Sequence, residues 1–400
     1  MADDTLWLSA EAATHRLGVK AETLYAYVSR GMVQSERVPG SRRSRFLKAD
    51  VERLAGRQRG GGRAGGLELL VETNLTYLDP AGVLAYRGWN VADAARDATF
   101  EEVASWLWAA EREKKPITAP PAMLAAAARI ARAMPEEPVM DRLRATIAAA
   151  RHADAFRDDR RPEAVAMAGR SIIATLLAAL PVRGNDAPDD ASVAARLWPR
   201  LTATPAKPRL VKLLDATLVM LADHEMAAST LAARVAASTW ADPYLVELAG
   251  LATLGGPLHG AASSHARVLL NEVHKQGVSP AEAIARRLRD GEFIPGFGHR
   301  VYKNNDPRCD VLLELLSAIK REPVEDELVL IMNERGLPFP NVDFAIASFA
   351  ERYDMIDNAG EVVFAIARTV GWLAHAIEEY RYRLRYRPRA VYVGPPISSL

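Results

Sequence analysis

The chain has 400 residues, 49% of them hydrophobic and 25% charged, with a formal net charge of +1, a balance that excludes disorder and allows a large core in more than one domain. Its single cysteine, Cys309, excludes an internal disulfide or a cysteine-built zinc cluster and fits a reducing, cytoplasmic setting. Asp3 and Asp4 stand where a signal peptide carries positive charge, and no apolar run is expected to reach the roughly 20 residues that span a bilayer, so no membrane partner is expected.

Charge is unevenly spread, with twelve Lys and Arg against seven acids in residues 1–63. Ser9 is placed to cap a helix whose apolar positions Ala12, Ala13 and Leu17 recur at helical spacing until Gly18. In a second helix Leu24, Tyr27 and Val28 form the buried stripe, Lys20, Thr23, Tyr25, Ala26 and Arg30 lie toward solvent, and Gly31 ends it. A basic, hairpin-like segment, Arg37 to Phe46, and a third helix, Lys48 to Leu54, follow.

Two short helices meeting at a glycine read as helix-turn-helix. The layout of residues 1–56 is similar to the winged helix-turn-helix of the MerR and excisionase group. That resemblance implies DNA as a partner, with Arg42, Arg43 and Arg45 of the wing on phosphates and Lys20, Thr23 and Tyr25 of the second helix at the major groove. The competing reading is a basic surface that binds protein or nothing. Residues 57–66, rich in Gly and Arg, form a linker by composition.

Alternation around Asp79-Pro80-Ala81-Gly82 predicts a short β-hairpin. Alanine-rich amphipathic helices are then predicted near 99–113, 121–133, 139–153, 163–180, 209–222, 225–239, 242–254, 260–276, 279–289, 308–320, 341–350 and 358–383. No strand pattern supports a parallel sheet. The body is therefore mainly α.

Polar groups collect where these helices begin or end. In Gly296 to Arg308, GFGHRVYKNNDPR, glycines permit close approach of a ligand to the main chain, His299 titrates near neutrality, and Arg308 can grip a carboxylate with two parallel bonds. GGPLHG places His259 at a helix start, where the helix dipole is expected to keep the imidazole neutral. Asp343 in FPNVDF, once desolvated, is suited to act as a base, and Asp223-His224-Glu225 precedes a further helix. None of the histidines has metal-site spacing, so no metal is expected. Each histidine alone is as compatible with a structural role as with a catalytic one.

With these three motifs in order, the chain from Gly66 onward resembles the citrate synthase family, supported by GLELLVETNLTYLD, YRGWNV, ARTVGWLAHAIEEY and RPRAVYVG. The resemblance implies the citrate synthase fold, with a large helical domain of residues 67–261 and 367–400 and a smaller mobile one of residues 262–366. It implies condensation of acetyl-CoA with oxaloacetate, with no cofactor beyond the thioester substrate. Asp343 is implied as base, His259 as hydrogen-bond donor to the thioester oxygen, and His299 as donor to the developing alkoxide. Oxaloacetate falls to His224, Arg308, Arg368 and, across a homodimer interface, Arg387. Coenzyme A falls to Ile294, Pro295, Gly296, Phe297, Gly298 and Lys303.

Two segments depart from the family pattern: Ala261-Ala262-Ser263-Ser264-His265 follows GPLHG, and Ala345-Ile346-Ala347 follows Phe344. Both bear on which acyl group fits, so 2-methylcitrate formation from propionyl-CoA stands as an alternative. The N-terminal module raises a third reading, a DNA-binding regulator whose body senses oxaloacetate, citrate or an acyl-CoA.

Overall fold

Residues 7–17, 19, 21–29, 33–38, 44–48, 50–51, 71–135, 138–256 and 259–387 are described by a computed structural model. Contacts divide the chain into residues 1–72 and 73–400.

In the first unit β1 (Trp7–Ser9) leads into α1 (Ala10–Leu17), α2 (Ala21–Ser29), β2 (Ser35–Arg37) and β3 (Ser44–Leu47). The strands are antiparallel in the order β1-β3-β2, and Leu8 and Ser35 both pair with Phe46. Ser9 caps α1 by accepting from the amide of Ala12 at 3.1 Å. Ala13, Leu17, Leu24, Val33, Phe46 and Val51 close a small core, with Tyr27 and Val28 packed against it. Ala12, expected in the buried stripe, is exposed, because Ala13 and Leu17 already occupy the i, i+4 face that meets this core. Thr23 is half-buried and Tyr25 exposed. Arg45 pairs with Glu36 on the neighbouring strand at 2.5 Å and lies 5.2 Å from the Trp7 ring. Lys20, Arg42, Arg43, the linker and most of the expected third helix lie outside the described residues.

The second unit opens with a three-stranded antiparallel sheet, β4 (Thr76–Asp79), β5 (Val83–Tyr86) and β6 (Trp89–Asn90). Its first turn is the expected one: Asp79 accepts from the amides of Ala81 at 2.7 Å and Gly82 at 2.9 Å. Helices follow as α3 (Val91–Asp97), α4 (Phe100–Ala109), α5 (Pro121–Ala133), α6 (Val139–Ala150), α7 (Pro162–Ala179), α8 (Val193–Leu201) and α9 (Pro208–Leu221). Then come α10 (Ala228–Ser238), α11 (Pro243–Leu254), α12 (Ala262–His274), α13 (Pro280–Arg289), α14 (Pro307–Ile319), α15 (Pro323–Glu334), α16 (Val342–Arg352) and α17 (Ala359–Glu379). The mainly helical body matches the sequence expectation, but α3, α8 and α15 were not foreseen. α3 has only seven residues and depends on Asn90, whose side chain caps it; α8 contains Pro199; α15 buries only Leu328 and Met332 of its apolar residues.

Almost every side of α17 is buried, and it forms the centre of the main core with Trp372, Leu373 and Val370. Each large apolar side chain so enclosed contributes about 1.5–3 kcal/mol. Contrary to expectation, α7 and α17 are long and apolar enough to cross a bilayer by length and composition; 61% and 89% of their apolar windows are buried within the protein, as core helices are. Gly371 lets the end of α9 dock on α17, since a methyl group there would lie 2.4 Å from the Asp223 carboxylate. A second apolar cluster joins α12, α13, α15 and α16 through Leu269, Leu270, Ile284, Leu328, Met332 and Phe344.

Candidate active site

The segment between α13 and α14 is shaped by what its polar atoms bind. His299 Nδ1 accepts from the amides of Val301 at 3.0 Å and Tyr302 at 3.1 Å. Arg308 Nη2 lies 3.3 Å from the other ring nitrogen, Nε2, so both ring nitrogens face donors and the neighbours present select neither neutral tautomer. Burial first, then Arg308, pushes His299 down to about 4, so the ring is neutral at pH 7. Its centroid lies 4.6 Å from Tyr302 and 5.3 Å from His224. His224 Nε2 meets the Tyr302 hydroxyl at 3.2 Å, and burial, Arg308 and Arg368 hold this imidazole well below its usual range.

Asp306 is the N-cap of α14 and Arg308 lies in its first turn. The extended backbone of the cap lets a carboxylate two residues away form a two-pronged pair with the guanidinium: Arg308 Nε donates to Oδ1 at 2.9 Å and Nη2 to Oδ2 at 2.8 Å. Both side chains are buried. Burial alone would lower Arg308, but Asp306 outweighs it and holds the cation above its ordinary value. Asp306 Oδ2 also accepts from the amide of Val342 at 2.9 Å, tying this segment to the start of α16.

Asn341 caps α16 and places Asp343 in the first turn, half-buried. Protein surrounds the carboxyl closely enough that burial raises it to about 6, opposed by Arg308 and assisted by Asp306. His259 sits ahead of α12, its Nε2 2.8 Å from Ser229 Oγ and its ring 5.8 Å from Phe364. Burial and then Arg368 lower its pKa, which keeps the ring neutral. Arg368 lies 4.4 Å from the other partner of this stack, Phe364, and its Nε donates to the carbonyl of Leu221 at 2.9 Å. Its Nη1 and Nη2 are buried without a hydrogen-bond partner, and burial brings it down to about 10.

His224, His299, Arg308 and Asp343 thus share one site, with His259 and Arg368 joined through Phe364. The segment from Ile294 to Gly298 runs beside it, pinned by the amide of Gly298 on the carbonyl of Phe339 at 2.7 Å and the amide of Asn341 on that of Gly296 at 2.9 Å. Gly296 has φ +82° and a methyl group there would lie 3.0 Å from Phe344 Cβ, so only glycine fits without displacement. Lys303 is exposed, its amide on the carbonyl of Pro80 at 3.2 Å. Arg387 is exposed, and among the described residues none pairs with it.

A model of the citrate synthase C-terminal domain family matches residues 66–389. The chain belongs to the citrate synthase family. It is 33% identical over 361 residues to a citrate synthase of Haloferax volcanii, covering 82% of this chain and 95% of the relative. It is 30% identical over 380 residues to a 2-methylcitrate synthase of Shewanella oneidensis, covering 86% and 96%. A ternary complex of carboxymethyl coenzyme A and oxaloacetate with the citrate synthase of Thermoplasma acidophilum has a TM-score of 0.66 at 26% identity, covering 83% of this chain and 96% of that one.

Several residues of this citrate synthase family member that bear on the site had no task assigned from sequence: Asp306, Tyr302, Ser229, Phe364 and the pair Asp223 and His375. Arg234 Nη1 lies 2.7 Å from His375 Nδ1; because a guanidinium only donates, the imidazole proton is on Nε2 and points to Asp223 Oδ2 at 3.3 Å. Thr76 donates to the same oxygen at 2.5 Å. Burial pushes the Asp223 carboxyl up, but His375, Arg368 and Thr76 outweigh it. The result is a fixed negative charge next to His224. Of these residues only Asp306 carried a local signal, an Asp-Pro start to a helix.

Proposed function

We propose that this protein condenses acetyl-CoA with oxaloacetate to give citrate and CoA. The observation that carries the reading is Arg368, a buried guanidinium with two unpartnered amino groups beside a second buried arginine and two neutral imidazoles. That cation-rich, desolvated surface calls for a small dianion. Family membership and the carboxymethyl coenzyme A and oxaloacetate bound by the Thermoplasma acidophilum relative point the same way.

In the proposed sequence His224, Arg308 and Arg368 hold the oxaloacetate carboxylates, and Arg387 of a second subunit completes the set. Asp343, at about 6, is ionised at neutral pH yet more basic than an ordinary carboxylate, as removal of a thioester α-proton requires. With Ser229 donating to His259 Nε2, the ring proton stays on Nδ1 and serves the thioester oxygen, stabilising the enol. The enol carbon attacks the ketone while His299 serves as proton donor to the forming alkoxide; water then cleaves citryl-CoA. Coenzyme A lies along residues 294–298, with Lys303 near its phosphates. Movement of residues 262–366 against 67–261 and 367–400 closes the site before enolisation; the separate apolar cluster of α12, α13, α15 and α16 supports this division.

Substrate choice is tested by CoA-thiol release with acetyl-CoA and propionyl-CoA, each with oxaloacetate. A kcat/KM at least tenfold higher for acetyl-CoA is expected; a preference for propionyl-CoA assigns 2-methylcitrate formation instead. One methylene is worth about 1–3 kcal/mol in an apolar pocket, enough for that ratio.

For residues 1–56 we propose a winged helix-turn-helix that binds DNA. The two helices, the small antiparallel sheet and the basic excess support it. A promoter-fragment mobility shift that weakens with salt and is lost on joint Arg42→Ala and Arg43→Ala substitution is expected; a salt-insensitive or absent shift removes the reading.

A further inference from the structure

After α17 the chain reads Tyr380-Arg-Tyr-Arg-Leu-Arg-Tyr-Arg387, an alternation of aromatic and cationic residues that the synthase chemistry leaves largely unused. It folds back on its own subunit: Tyr380 donates to the carbonyl of Ala241 at 2.7 Å, Trp240 Nε1 to that of Tyr382 at 3.0 Å, and the amide of Leu384 to that of Ser238 at 2.8 Å. Trp240 and Leu384 both hold positive φ, +64° and +46°, a cost that non-glycine residues bear where surrounding structure fixes them. The product is an open groove of about 370 Å³ whose walls include Arg160, Trp240, Tyr380 and Arg381.

Arg160 and Arg383 both pack on the Trp240 indole, 5.1 and 4.3 Å from its centroid. The two guanidiniums are therefore no more than about 9 Å apart. Arg160 spends its Nε on the carbonyl of Trp240, which leaves its charge uncompensated. Two nearby acids are taken: Asp159 pairs with Arg161 and Asp242 with Arg151; a third, Glu163, acts on Arg161. Among the described residues, Arg160, Arg381 and Arg383 have no carboxylate partner. Arg160 and Arg383, gathered by stacking on Trp240, and Arg381 in the groove wall, without a carboxylate partner among the described residues, form a surface for a polyanion.

We propose that this groove binds the phosphate backbone of duplex DNA. The indole and the Tyr382 ring are already covered by arginines, the latter by Arg385 at 4.4 Å, so the surface offers guanidinium edges rather than open rings. It would therefore contact phosphates without reading bases, unlike a stacking platform for single strands. The upper bound of about 9 Å between the Arg160 and Arg383 guanidiniums admits neighbouring phosphates of one strand, at ~3.4 Å of axis each. This proposal does not depend on the N-terminal module, whose candidate contacts are separate residues.

The test uses the full chain and a random-sequence duplex, with affinity read by fluorescence anisotropy across a salt series. Joint Arg160→Gln, Arg381→Gln and Arg383→Gln substitution is expected to weaken binding at least tenfold at low salt and to reduce the slope of log affinity on log salt by about 2–3, at ~0.9 per phosphate contact. The corresponding Lys variants keep the slope, which separates charge from misfolding, and CoA release stays within twofold of the unaltered protein. Joint Arg42→Gln and Arg43→Gln substitution leaves the effect of the groove variants in place. Absence of DNA binding by the unaltered chain, or an unchanged slope in the Gln variant, overturns the proposal. So does titration with ATP showing saturable binding that the Gln variant abolishes while DNA binding is unaffected.

Discussion

Replacing Asp343 by Asn is expected to abolish turnover and yet stabilise the folded protein. In the fold the carboxyl is raised to about 6, against an ordinary value of about 3.9 in the unfolded chain. The folded state therefore binds this proton more tightly than the unfolded state. Its stabilising contribution is complete below about pH 3.9 and is lost as pH rises through 6, leaving the ionised protein with the full desolvation penalty. The gap corresponds to about 3 kcal/mol, and because Asp343 is only half-buried, solvent screening reduces this to about 2–3 kcal/mol. Asn keeps the shape and has no charge to desolvate. Urea denaturation of both proteins from pH 5 to pH 8 tests this: the Asn variant should gain stability over the native protein as pH rises to about 7, then hold a constant advantage. A pH-independent difference, or an Asn variant less stable at pH 7.5, would refute the assignment of the raised pKa to burial of a working base.

The same group sets the acid limb of the rate. With acetyl-CoA varied at saturating oxaloacetate, kcat/KM should fall tenfold per pH unit below an apparent pKa near 6, as Asp343 takes up its proton, and level off above pH 7. Asp306→Asn removes the carboxylate from a buried pair with Arg308, so a loss of about 3–5 kcal/mol in urea denaturation is expected, with an oxaloacetate KM raised at least tenfold in initial-rate measurements. Gly296→Ala forces a left-handed residue and a 3.0 Å contact on Phe344 Cβ; at about 1–2 kcal/mol the acyl-CoA KM should rise about tenfold while the oxaloacetate KM changes less than twofold.

Much of the helical body was legible because it is written in local terms. The turn at Asp79 to Gly82 needs only its own four residues, and long apolar helices such as α7 and α17 carry their apolar residues over several turns. α3 and α8 are short, at seven and nine residues, and α8 carries an internal proline, while α15 buries only Leu328 and Met332 of its apolar residues, too narrow a stripe to read as a face. Site motifs were legible as runs around His259, His299 and Asp343, but their supports were not. Ser229 reaches His259 across 30 residues, and Arg234 reaches His375 across 141. Nothing in either local sequence encodes such a bond. Two causes that keep His259 neutral, burial and Arg368, come from tertiary packing and have no signal in the local sequence.

The central claim is that one constellation joins the methyl carbon of acetyl-CoA to the ketone carbon of oxaloacetate. Carbon-13 NMR of a reaction containing methyl-labelled acetyl-CoA, unlabelled oxaloacetate and the full-length protein tests it directly. The label should appear in a methylene carbon of citrate, one equivalent per CoA released, and should be absent with Asp343→Ala. CoA release with the label left in acetate, or label in citrate undiminished by Asp343→Ala, would contradict the account.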